Sequence, residues 1–157
     1  MKRELEQQLV KDFPLCFGDY GKDPTKSCMA FGCECGDGWY DILREACTKA
    51  EPIIANWIMN QKTDQSLTQE WTPRLAQVKE KFGTLRLYFT SYPDGMDDIE
   101  EDAEEKSSVT CESCGQPGKL RGQGWYYTSC FACAREGDQD NLEIVEAALI
   151  KKEKENG

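Results

Sequence analysis

Apolar positions recur along the chain with two different periods, and the periods divide it into elements. Leu5, Leu9 and Phe13 stand four apart, which predicts a short amphipathic helix over 2–13. A longer stripe runs through Trp39, Leu43, Ala46, Cys47, Ala50, Ile54, Trp57 and Ile58. It predicts the central core helix, with Asp37 placed to cap it and Pro52 expected to kink it or begin a second helix. Between the two, 14–36 is rich in Gly, Pro, Asp and Cys and reads as an ordered loop, because Phe17, Met29 and Phe31 need somewhere to pack.

Residues 60–72 are polar and read as a connection. The stretch 73–90 admits two patterns. Thr72-Pro73 is a helix start followed by Leu75, Val78 and Phe82 at helical spacing. Alternation of Val78, Glu80 and Phe82, then Gly83-Thr84, then Leu85, Leu87 and Phe89, fits a hairpin equally well. Only 84–90 is assigned as strand; 73–83 stays open between helix and strand. Tyr92-Pro93-Asp94-Gly95 is a turn. After it, Ile99 and Ala103 mark a thin apolar stripe on an acidic helix over 96–106. Leu142, Val145 and Leu149 give a last amphipathic helix over 142–150, and its Lys-Glu tail is expected to fray.

These elements predict an α+β fold: a small helical/β domain over 1–106, a zinc-ribbon-like module over 107–137, and a C-terminal helix with its tail over 138–157. No run of 18 apolar residues is present, so no transmembrane helix is expected. Met1-Lys2-Arg3-Glu4-Leu5-Glu6 lacks the apolar stretch of a signal peptide, so a cytoplasmic protein is expected. There, nine cysteines are thiols or metal ligands rather than disulfides.

The formal net charge is −10 and histidine is absent. Duplex DNA repels such a surface unless its cations are segregated. Without histidine no Ser-His or Cys-His pair can be built. Asp37, Asp41 and Glu45 lie four apart and could hold a divalent cation, but such a row is more often a cap and a solvated face. The chain is therefore expected not to be an enzyme.

Cys111-Glu112-Ser113-Cys114 and Cys130-Phe131-Ala132-Cys133 are two C-x2-C hooks separated by fifteen residues. A two-residue gap lets one turn aim two thiolates at one ion, and Zn2+ takes four ligands in a tetrahedron with sulfur about 2.3 Å away. Gly115 suits the tight backbone that follows the first hook. Residues 118–127 read as a short hairpin that returns the second. Cys111, Cys114, Cys130 and Cys133 are thus predicted to hold one structural zinc; four thiolates and one Zn2+ bring the chain nearer −12. Cys28, Cys33, Cys35 and Cys47 could form a second site, but their spacing is irregular and Cys47 lies on an apolar helix face.

The segment Ser27 to Trp39 (SCMAFGCECGDGW), the segment Val78 to Phe89 (VKEKFGTLRLYF), and Thr110 to Gly115 with Gly124-Trp125 and the second hook belong together. In these, over about 27–134, the chain resembles a group of small phage- and prophage-encoded proteins of unassigned function. Those proteins often close their zinc site with Cys-x-x-His, where this chain has Cys133. The resemblance implies phage origin and a bacterial host cytoplasm, and carries over no catalytic residue.

Two binding functions follow. The first is a protein that binds and modulates a host protein, such as an inhibitor of a nucleic-acid-binding defence complex, through Asp97, Asp98, Glu100, Glu101, Glu104 and Glu105. The second is nucleic-acid binding by the zinc module through Lys119, Arg121 and Arg135 beside Trp125, Tyr126, Tyr127 and Phe131. The plainer alternatives are a solvated acidic helix and a small aromatic core.

Overall fold

The computed structural model describes residues 1–61 and 71–156, so most of the connection expected over 60–72 lies outside the described residues. The fold is α+β, as the periodicities predict. Helix α1 spans Arg3–Asp12, and after a long loop β1 (Cys33–Glu34) leads through a 3-10 turn into α2 (Tyr40–Gln61). Strands β2 (Leu75–Lys81) and β3 (Thr84–Phe89) form the hairpin that the sequence left open, and α3 follows at Met96–Ser108. A second small hairpin, β4 (Lys119–Arg121) with β5 (Tyr127–Ser129), precedes α4 (Asn141–Asn156).

The main sheet has the order β1-β2-β3, with β1 parallel to β2 (Cys33 opposite Val78) and β2 antiparallel to β3 (Val78 opposite Leu87). A register irregularity between Leu75 and Gln77 explains why Leu75 and Val78, an odd number apart, are both buried. Along β3 the alternation is regular: Leu85, Leu87 and Phe89 are buried and their neighbours are not. On β3 packs α3, which presents Met96, Ile99 and Ala103 to the core, and α2 packs against α3 and joins the same core through Leu43, Ala46, Cys47, Ala50 and Ile54. Lys81 pairs with Thr84, leaving Phe82-Gly83 as a two-residue turn with φ of 53° and 82°. Positive φ at both central positions is the twist-matched hairpin geometry, which usually recruits Asn-Gly or Asp-Gly. Here the first position is an aromatic residue.

Three local expectations are corrected. Asp37 does not cap α2: it lies within the 3-10 turn Asp37–Trp39, and its carboxylate accepts the Lys2 amide at 2.7 Å. Pro52 does not begin a second helix: α2 runs through it to Gln61, with Pro52 on its exposed side, where water can satisfy the carbonyl left unpaired. Phe31 is 66% exposed, whereas Met29 is fully buried. Both lie in the 3-10 turn Cys28–Phe31, where residues two apart point in different directions, so only one can enter the core. Trp57 and Ile58, the last members of the α2 stripe, are half-buried. The C-terminal tail expected to fray is helical to Asn156. No helix among the described residues is long and apolar enough to cross a membrane.

Candidate metal centre

The two hooks meet at one point. The ligand atoms of Cys111, Cys114, Cys130 and Cys133 all lie within 4.8 Å of one another, and the Cys114 and Cys130 sulfurs are 3.6 Å apart. A tetrahedron with metal–sulfur bonds of about 2.3 Å has sulfur–sulfur edges of about 3.8 Å. The donor set and its spacing therefore fit one metal ion with a complete shell of four sulfurs.

Backbone hydrogen bonds build the first hook. The Gly115 amide donates to the Cys111 carbonyl at 2.9 Å, and the Cys111 amide to Gln116 at 2.7 Å. Gly115 takes φ +77°, the left-handed conformation that glycine adopts without strain. The Glu112 amide donates to Thr128 of β5 at 3.0 Å, and Gly118 donates to Val109 at 2.8 Å. The β4–β5 hairpin, with Lys119 opposite Ser129, returns the chain to the second hook at Cys130.

The four thiols differ electrostatically. Burial pushes the Cys111 thiol up, but the amides of Cys130, Cys114 and Ser113 reach its sulfur and bring it down to about 7. The Gln116 amide works to lower Cys114, yet burial and hydrogen bonding with Cys111 and Cys130 leave it raised. Hydrogen bonds from Cys130 and Cys114, followed by burial, push Cys133 up to about 12. Four sulfurs this close resist joint ionisation, and a divalent cation relieves that repulsion.

The hook is also pressed into a backbone cradle, a feature the spacing of cysteines does not reveal. The Gly38 amide donates to the Glu112 carbonyl at 2.7 Å, and the Gly36 amide to the Glu112 carboxylate at 2.9 Å. The indole of Trp39, fully buried, donates to Thr110 at 2.8 Å. A Cβ on Gly38 would lie 2.2 Å from the Cys111 carbonyl oxygen, and one on Gly36 would lie 2.3 Å from that of Glu112. Main chain therefore packs on main chain here. The signal was present as two glycines flanking Asp37 before a tryptophan, but its meaning depended on a partner more than 70 residues away. These bonds cross the boundary expected between 106 and 107.

The other cysteines do not join a metal group. Cys33, Cys35 and Cys47 are buried in the hydrophobic core with Cys16, while Cys28 is exposed. Burial lifts the Cys33 thiol, and lifts Cys35 to about 12. Among the described residues only the four C-terminal cysteines are grouped as metal ligands would be. The acidic row Asp37, Asp41 and Glu45 likewise forms no metal group among the described residues: Asp37, in the turn before α2, binds Lys2, and Glu45 on α2 pairs with Lys49 and Lys106.

The six acidic residues singled out on α3 fall into two groups. Glu104 pairs with Arg86, and Glu100 accepts the Tyr92 hydroxyl at 2.7 Å. Asp97, Asp98, Glu101 and Glu105 are exposed, with no ion-pair partner among the described residues. The cations of the ribbon are mostly neutralised. Arg121 is buried and forks onto Glu143 at 2.6 and 2.7 Å, Lys119 pairs with Asp140 and Glu143, and Arg135 stacks 4.1 Å from the Tyr127 ring. Trp125 and Tyr126 do not form the ribbon core; both are exposed, and only Tyr127 is buried.

No protein family, curated protein or solved structure matches the chain.

Proposed function

We propose that the chain is a phage-encoded protein of the bacterial host cytoplasm, in which a closed four-cysteine zinc site is structural and the acidic side of α3 binds and modulates a host protein. Zinc is favoured among metals because four thiolates in a tetrahedron match its preferred ligands, and such sites hold folds together rather than react. Nine cysteines with no disulfide among them suit a reducing compartment. The chain acts by binding, not by catalysis.

The observation that carries the reading is the α3 surface. Asp97, Asp98, Glu101 and Glu105 project from a helix anchored by Met96, Ile99, Ala103 and Ser107, so their charges are held in a fixed array. Such an array competes electrostatically for a basic channel that otherwise holds a phosphate backbone, such as that of a defence nuclease. The nucleic-acid alternative is weakened by the pairing of Lys119 and Arg121, which leaves few cations to neutralise phosphates.

The test exchanges Asp97 and Asp98 for Asn and Glu101 and Glu105 for Gln, and compares the variant with wild type on immobilised supports in bacterial lysate. Wild type should retain a protein with a basic surface at low salt and release it as salt rises. The neutralised variant should associate with that protein about tenfold more slowly or worse, the lower range for electrostatic steering. Equal retention by both forms, or salt-sensitive capture of single-stranded oligonucleotide instead, would overturn the reading.

A further inference from the structure

The C-terminal helix is mounted with Leu142, Val145 and Leu149 outward. Arg121 grips Glu143, and Lys119 holds Asp140 and Glu143, so the side of α4 facing the body is the side of Glu143. Apart from Asn156, whose side chain is not described, only Glu143 and Ala147 on α4 are even half-buried. At about 100° per residue, the stripe of Leu142, Val145 and Leu149 is centred about 150° from that side. These three residues are 68%, 54% and 56% exposed. The expected helix forms, but Ile144 and Ile150 lie off the stripe and are exposed as well, so its apolar residues are not gathered on one buried face, and the stripe meets no part of its own chain among the described residues.

A second apolar surface lies open on the same molecule. The turns of the two hairpins sit side by side: Thr128 of β5 donates to the Gly83 carbonyl at 2.6 Å. Together they line a cleft of about 210 Å³, walled by Phe82, Trp125 and Tyr126 and edged by Glu80 and Lys81. Phe82 is held at φ +53° and is 66% exposed, and Trp125 is 72% exposed. An aromatic residue in the left-handed region is uncommon, and such strain concentrates at binding sites. Pockets for small molecules run from about 300 to 1,000 Å³, so this cleft suits one or two aliphatic side chains of a protein better than a cofactor.

We propose that α4 seats Leu142, Val145 and Leu149 in the aromatic cleft of a second copy of this chain, and that the exchange is reciprocal. The Arg121–Glu143 grip turns the stripe away from its own body, so the occupant comes from another molecule. One cation is available at the cleft: Glu80 at its edge is engaged by the Gly83 amide at 2.7 Å, whereas Lys81 beside it is in no ion pair among the described residues and can meet Glu146 or Glu153, which flank one edge of the stripe. Area decides between one contact and two. The three rings, weighted by exposure, offer about 400 Å². With the opposing aliphatic surface, one contact stays below the roughly 800 Å² typical of crystal packing, whereas two reach the 1,200–2,000 Å² of specific interfaces. A closed two-fold pair supplies both at once and leaves no open end.

Sedimentation velocity on the full chain across micromolar concentrations tests this. Wild type should sediment as a dimer. Leu142→Asp with Leu149→Asp, and separately Trp125→Ala, should each raise the dissociation constant at least tenfold while metal content and far-UV spectrum stay unchanged. Lys81→Glu should weaken the dimer, and adding Glu146→Lys and Glu153→Lys to that chain should restore it. A wild type that stays monomeric throughout would overturn the proposal. A dimer lost on changing α4 but indifferent to Trp125→Ala would overturn it too, pointing to helix–helix pairing.

Discussion

Replacing Gly38 by alanine adds one methyl group at the cradle and should loosen the metal centre. The new Cβ would stand 2.2 Å from the Cys111 carbonyl oxygen, 2.5 Å from the Gly115 nitrogen and 2.7 Å from the Glu112 oxygen. All three are backbone atoms, so no side chain can rotate away and the first hook itself must move. Overpacking of this kind costs about 1–3 kcal/mol. The Gly38–Glu112 hydrogen bond, lost as the surfaces part, contributes about 0.5–1.5 kcal/mol more. At about 2–4 °C per kcal/mol for a chain of this size, the thermal midpoint should fall by roughly 3–18 °C. Displacing Cys111 should also weaken metal binding by about 10- to 100-fold, as loss of supporting interactions around a metal does. Gly124→Ala is the control: Gly124 has φ +89° and no heavy atom within 4 Å of its would-be Cβ. It should cost about 1–2 kcal/mol from backbone strain alone and leave metal affinity unchanged. Chelator competition and thermal unfolding on both variants read the difference. If Gly38→Ala keeps its metal affinity, the cradle does not support the centre and the reasoning fails.

Elemental analysis of protein purified without added metal should find about one zinc per chain, and Cys114→Ser should lose it. Trp39→Phe keeps most of the buried ring but strands the Thr110 carbonyl, so denaturant unfolding should show a loss of about 1–3 kcal/mol. The Arg121 guanidinium, against a small opposing burial effect, holds the Glu143 carboxyl at about 2, below its ordinary 4.5. A depressed carboxyl stabilises above its unfolded value, so the anchorage of α4 should be intact above pH 4.5 and be lost as pH falls towards 2. Limited acid proteolysis should then cut near Gly137 in that window and not at neutral pH; cutting independent of pH would refute the link.

How much of this was legible depended on the range of the interaction involved. The two hooks declare themselves because each is a local pattern and the requirement for four ligands is chemical. The periodicity of Ile99 and Ala103 placed α3 for the same reason. The hairpin at 75–89 was ambiguous because its turn carries Phe82 where Asn or Asp is usual, and because the irregularity at Leu75–Gln77 breaks strict alternation. Asp37 looked like a cap because its sequence position is right, but tertiary contact with Lys2 claims its carboxylate. The ribbon cations read as a nucleic-acid surface because Arg121 and Glu143 are 22 residues apart, too far for any local pattern to pair them. Glu6 is buried, and only the loop that wraps it supplies the Tyr20 hydroxyl and Cys33 amide that make burial tolerable.

The distance along the chain between cradle and hook has a consequence during synthesis. The indole of Trp39 finds its acceptor only at Thr110, 71 residues later. At about 5–20 residues per second, a ribosome would take some 4–15 s to cover that interval. Throughout it the amides of Gly36 and Gly38 and the face of Trp39 stand open on the nascent chain. The hooks, by contrast, close a loop of fifteen residues and can capture an ion soon after Cys133 emerges. Cys133 emerges 23 residues after Thr110, so the cradle can meet the first hook before the shell of four sulfurs is complete, and the tryptophan can be covered ahead of metal loading.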